Sequence, residues 1–200
     1  MAAPALGASL AWLMTSIEPR DPATPPPDAR YLDMFPAWLR TLGEDAGALG
    51  SVVSADGNDE VKRYVTSGLN YIFKSLDLIP DGIDDLGFCD DAFVIRVAAS
   101  LACEAEPTAK DGVVGRLADE AKSVEDFLGD DYPRLVAYVK GLRKGAARGR
   151  TVEDIMTDVS ARTSFVHEVS AWALEYQVPS FTRDVKTLIK LKAFLSAKLA

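Results

Sequence analysis

The chain has 200 residues, of which 48% are hydrophobic and 26% charged. That length suits one domain, or one domain with an appendage, able to bury roughly 70% of its unfolded surface, and the composition excludes wholesale disorder. The net charge of −8 is concentrated in residues 1–100, which carry 7 Lys/Arg against 15 Asp/Glu, and an acidic chain repels phosphate backbones at long range, so nucleic acid is disfavoured as a partner.

Residues 1–18 open the chain with Leu6, Leu10, Leu13, Met14 and Ile17, which fall at i, i+4, i+7, i+8 and i+11. That spacing places them on one face of an amphipathic helix. No Lys or Arg precedes them to make the basic start of an export signal. A docking helix is therefore expected, able to reach a protein partner. Pro19, Pro22, Pro25, Pro26 and Pro27 make 19–28 a stiff, extended connector. Residues 29–200 read as a single helical domain. Within it, Ala37–Leu42 is a short helix behind Pro36, and Gly43–Gly57 is expected to be a loop. A periodic helix follows over Asn58–Leu76, with Val61, Tyr64, Val65, Leu69, Ile72, Phe73 and Leu76 in phase and Gly68 on the same stripe.

Pro80 cannot continue that helix, so the chain turns through Asp77–Gly87. The next helix, Asp90–Glu104, is interrupted in its middle only by Arg96 and Ser100, which marks it as central. Asp111–Leu128 and Pro133–Lys144 read as two more helices, broken near Gly129. Thr151 and Asp154 form a capping-box start for a helix running to Gln177, where Pro179 stops it. A last helix, Phe181–Leu199, carries Phe181, Val185, Leu188, Leu195 and Leu199 on one face, with Lys186, Lys190, Lys192 and Lys198 among its polar positions. No segment shows sustained strand alternation. The fold class is all-α, a compact bundle of about six to eight helices around a central helix–turn–helix hairpin.

The hairpin carries the most specific pattern. Its run is Tyr71-Ile-Phe-Lys-Ser-Leu-Asp77-Leu-Ile-Pro80-Asp81-Gly-Ile-Asp84-Asp85-Leu-Gly87-Phe-Cys-Asp90-Asp91. This resembles the YkvA-like family, in which Asp-Leu-Ile-Pro-Asp, a short Gly-containing loop and a later Asp-Asp recur in that order over a unit matching about 61–101. The resemblance implies an all-α hairpin and assigns no catalytic residue. Asp84 and Asp85 depart from it, because an apolar residue is expected there.

Physical chemistry gives those residues structural work. Asp90 is placed to cap the helix it precedes, Asp91 lies in a first turn that favours negative charge, Asp77 suits hydrogen bonding across the turn, and Asp81 after the proline is a natural turn residue. With Pro80 and Gly87 they define a tight corner. Arg96 is the nearest cation for a buried carboxylate. The alternative is a divalent cation held by Asp77, Asp81, Asp84, Asp85, Asp90 and Asp91, since hard cations take oxygen ligands. The spacing is not that of an EF-hand, and no other cofactor is expected.

Other chemistry is sparse. Cys89 and Cys103 form no C-x-x-C and read as buried free thiols of a reducing cytoplasm. His167, the one histidine, belongs to no triad motif and reads as a helix-surface or core-edge residue. From Arg134 to Arg150 the chain holds cations and no acid. Lys140, Arg143, Lys144, Arg148 and Arg150 could bind an anion or an acidic partner, or be paired with the chain's own acids. The basic last helix raises an anionic membrane surface as a further partner, although no uncharged apolar run reaches the ~18 residues needed to span a bilayer. The sequence favours a cytoplasmic, non-enzymatic interaction or scaffold protein. A metal-dependent enzyme or sensor using the aspartates is the alternative.

Overall fold

The computed structural model describes residues 27–75 and 77–199. The expected N-terminal helix and most of the connector lie outside these residues. After a 3-10 turn at Pro27–Arg30 come α1 (Tyr31–Ser54), α2 (Asp59–Tyr71), α3 (Cys89–Ala105), α4 (Gly112–Leu128) and α5 (Tyr132–Leu142). A minimal hairpin, β1 (Ala146–Ala147) and β2 (Arg150–Thr151), leads into α6 (Val152–Thr157), α7 (Val159–Glu175) and α8 (Val185–Lys198). The fold is all-α. None of these helices is long and apolar enough to cross a membrane.

Helix α3 is the axis of the core. Ala92–Ala99 is buried all round, and α2, α4 and α5 pack against it. A helix without a polar face must be enclosed by others. Gly68 permits the closest of these contacts: a Cβ there would lie 2.9 Å from the Ala98 Cβ. Tyr31, Phe35, Trp38, Phe93 and Phe127 stack in edge and offset geometry, joining α1, α3 and α4.

Several boundaries differ from the sequence reading: the short helix expected behind Pro36 starts at Tyr31 with Pro36 inside its first turns, and the last helix starts at Val185, behind its Asp184 cap, instead of at Phe181. Gly43–Gly57 is no loop, because α1 runs unbroken to Ser54. A Cβ at Gly43 would touch the Ala173 carbonyl at 3.0 Å, and one at Gly50 would touch Val169 at 3.3 Å. The glycines let α7 lie close against α1, and that packing outweighs their poor helix propensity. The helix predicted to end at Leu76 instead ends at Tyr71, tightened by bonds from the Phe73 and Lys74 N–H groups to the Asn70 and Tyr71 carbonyls. The predicted single helix after Thr151 is two: its capping box is present, but Asp158 caps a new helix through the Ser160 and Ala161 N–H groups. The basic loop is not loose, since β1 pairs with β2.

Candidate functional site

The loop between α2 and α3 has two sides. Its inner side is the aspartate corner. The Tyr71 hydroxyl donates to Asp90 Oδ2 at 2.5 Å and accepts from the Leu78 N–H at 2.7 Å. The Ile79 N–H donates to the same Asp90 oxygen at 2.9 Å. Asp90 thus ties the loop to α3 instead of capping that helix. The capping position belongs to Phe88, in the left-handed region at φ 61° and without a side-chain cap. Phe88 packs against Trp172 of α7 and Tyr176 just beyond its end, and the Tyr176 hydroxyl donates to the Leu39 carbonyl. Gly87 closes the corner: a Cβ on it would lie 2.2 Å from the Asp81 carbonyl oxygen. Pro80, at the bend, is exposed.

Arg96 does not serve this corner. It lies five and six residues beyond Asp91 and Asp90, which at 3.6 residues per turn points it to another side of α3. There it is fully buried, bonded to Glu120 at 2.7 Å and near Asp45 at 3.7 Å, with its guanidinium 4.0 Å from the Trp38 ring centre. Burial lowers its pKa to about 10, so it remains charged at neutral pH.

The corner carboxylates are left without that cation. Asp77 Oδ1, Asp90 Oδ1 and Asp91 Oδ2 are buried without a hydrogen-bond partner, so Asp77 makes no bond across the turn through that oxygen. Burial first, then the charges of Asp90 and Asp81, push Asp77 up to about 7. Burial pushes Asp90 up to about 6, against the opposing bonds from Tyr71 and Ile79. Asp91 stands well above the ordinary carboxylate range, through burial and then the charges of Asp90, Asp81 and Asp77. Burial without a cation thus makes these carboxyls hold their protons to higher pH than exposed ones do. Among the described residues, no group of three or more His, Cys, Asp or Glu side chains is placed to hold a metal ion. The six aspartates do not gather into a coordination set. Asp85, at φ 67°, accepts from the Thr182 N–H and hydroxyl, fastening the loop to the segment before α8. Asp84 is exposed.

The outer side of the same loop forms one wall of an open groove of about 530 Å³. Ile83 and Leu86 line this wall, and Ala193, Phe194 and Ala197 of α8 form the other. Asp84 stands at the rim on the loop side, with Lys190 and Lys198 on α8. Helix α8 seats Leu188, Leu191 and Leu195 in the core. Val185, predicted on that face, instead lies outside with Ile189, which is 63% exposed. Val185, Ile189, Ala193 and Ala197 recur every four residues, an apolar stripe facing solvent beside the groove.

The basic segment is mostly spent on the chain's own acids. Arg143 chelates Glu60 and lies over Tyr64, while Arg150 and Arg148 both reach Glu168. Arg134 joins Asp131 and the carbonyls of Ser196 and Leu199. Lys140 and Lys144 make no ion pair among the described residues; with Arg63, Arg143, Glu60 and Glu153 they surround an open depression of about 550 Å³ lined by both signs of charge. His167 is exposed on α7, and Cys89 and Cys103 are buried free thiols.

The groove and the Tyr71 hydroxyl are the features that sequence reading missed. Ile83 sits in a turn and the alanines read as plain helix formers, so no local pattern marks the groove. Tyr71 meets Asp90 only through the fold. No family model, curated protein or solved structure matches the chain.

Proposed function

We propose that this chain is a non-enzymatic interaction protein, in keeping with the YkvA-like resemblance of its hairpin, and that its groove receives an amphipathic helix from a protein partner. The observation that carries this reading is the groove itself, open, apolar on both walls and continuous with the exposed stripe of α8. Apolar surface of that kind on a folded chain marks a place of association. Helix-in-groove recognition uses anchors at i, i+3, i+4 and i+7, which match a groove walled by a helix. Lys190 and Lys198 at the rim make no ion pair among the described residues, so a helix with acidic flanks is the complementary ligand. The buried corner supports this function indirectly. Asp90, Gly87 and Asp85 hold the loop whose other side is the groove wall.

The test is fluorescence anisotropy with a labelled 17-residue helical peptide of leucine, alanine and glutamate, titrated with the full chain. Binding is expected, weakened by salt and by Ala193→Glu, and unchanged by Lys144→Ala, which lies at the other depression. Equal binding by the wild-type chain and Ala193→Glu, or none by either, would defeat the reading.

A further inference from the structure

We propose that the open depression between α2, the end of α5 and α6 is a second binding site, which takes a small phosphomonoester. It shares no lining residue with the groove, and it stands or falls independently of the docking reading. Glu60 and Arg63 come from α2, Lys140 and Arg143 from α5 and its C-cap, Lys144 from the turn beyond, and Glu153 from α6. The fold divides the five cations that the sequence grouped together. Arg148 and Arg150 turn to Glu168, while Arg63, distant in sequence, joins Lys140, Arg143 and Lys144.

Three observations point to a dianion. The first is the charge balance. Four cations and two carboxylates line the depression. Both carboxylates are already engaged by guanidinium groups: Arg143 donates to the two oxygens of Glu60 at 2.9 and 2.8 Å, and Arg63 reaches Glu60 at 3.7 Å and pairs with Glu153. The excess of two positive charges therefore resides on Lys140 and Lys144, four residues apart and facing the same concavity. A phosphomonoester brings a charge of about −1.5 to −2 at neutral pH and three strong acceptor oxygens. The second is preorganisation. Arg143 is chelated by Glu60 and lies 4.6 Å from the Tyr64 ring centre, and the side chains of Arg63 and Arg143 are only 24% and 27% exposed. Guanidinium groups already held in place lose less freedom when they engage a phosphate. Arg143 spends only its Nη2 on Glu60, so its Nε and Nη1 donors have no partner among the described residues.

The third is size against field. About 550 Å³ holds a phosphate together with a small carrier, within the roughly 300–1,000 Å³ of small-molecule sites. The chain as a whole carries −8, so an extended polyanion, whether nucleic acid or an anionic membrane, meets net repulsion. A small dianion responds mainly to charges within a screening length of about 8 Å, where the depression's excess is positive.

The test is an NMR titration of the isotope-labelled full chain at low ionic strength. The probes are methyl phosphate, a monoester, and dimethyl phosphate, a diester with a single charge. Saturable shifts with methyl phosphate are expected at Arg63, Lys140 and Lys144 and not at Ala193 or Phe194. Dimethyl phosphate should bind at least tenfold more weakly. Lys140→Gln combined with Lys144→Gln should weaken methyl phosphate binding at least tenfold at an unchanged melting temperature, both side chains being exposed. If that variant melts lower, the comparison of the two esters on the wild-type chain still decides. Equal binding of the two esters, wild-type affinity in the folded double variant, or shifts that do not saturate would overturn the proposal. Co-sedimentation with phosphatidic acid vesicles, in a chain that does not respond to methyl phosphate, would assign the charge to a lipid surface and overturn it as well.

Discussion

Gly87→Ala is expected to lower stability and deform the groove wall, and the structure gives its size. The added Cβ would meet the Asp81 carbonyl oxygen at 2.2 Å and its carbon at 3.0 Å, whereas ordinary contact begins near 3.4 Å. The neighbour is backbone, so the corner itself must open by roughly 1 Å, and overpacking of that kind costs about 3 kcal/mol at the upper end of its usual range. The alanine returns up to about 1 kcal/mol by restricting the unfolded chain. A net loss of about 2 kcal/mol remains, which in a domain of this size lowers the melting temperature by roughly 4–8 °C. Gly82→Ala is the internal control. It lies five residues earlier in the same loop with no heavy atom within 4 Å of a built Cβ, so it should melt at or slightly above the wild-type temperature. Differential scanning calorimetry on the three proteins decides the matter. If the two variants melt alike, the close approach at Gly87 is not what closes the corner.

Arg96→Met removes the cation between Glu120 and Asp45 and the stack on Trp38. Arg116 and Thr41 still serve Asp45, so the loss should be about 3 kcal/mol, at the lower end for a broken buried pair; urea unfolding checks it, and an unchanged midpoint would show that the pair contributes nothing. The corner also sets a pH dependence. Folding raises the pKa of Asp90 to about 6 and of Asp77 to about 7. The stability this confers is therefore complete below the unfolded value near 4 and is lost as pH rises through 6 to 7. Asp90→Asn removes one of these protons and should flatten the decline between about pH 4 and 6 by up to about 1.4 kcal/mol per pH unit; parallel wild-type and variant profiles would contradict it.

What was legible in the sequence follows from how local each signal is. The apolarity of Ala92–Ala99, broken only by Arg96, marks a central helix whatever surrounds it, and Thr151 with Asp154 completes a cap within four residues. Pro80 announces the bend between α2 and α3 by its missing N–H. The glycines of α1 misled because their use depends on α7, more than a hundred residues later. Asp90 was placed at the helix start, yet its partners are Tyr71 and Ile79 across the corner. Arg96 was assigned to the nearest acids in sequence, whereas helical phase turns it to Glu120 and Asp45. The groove had no sequence signature, since a turn isoleucine and two helix alanines become a binding surface only when Asp85 fastens the loop beside α8.

The most direct test of groove docking is an NMR titration of the isotope-labelled full chain with the acid-flanked helical peptide. Saturable shifts should concentrate at Ile83, Leu86, Ala193, Phe194 and Ala197 and be absent from Lys140 and Lys144. Shifts centred on the Lys140–Lys144 depression, or scattered without saturation, would contradict a docking groove between the α2–α3 loop and α8.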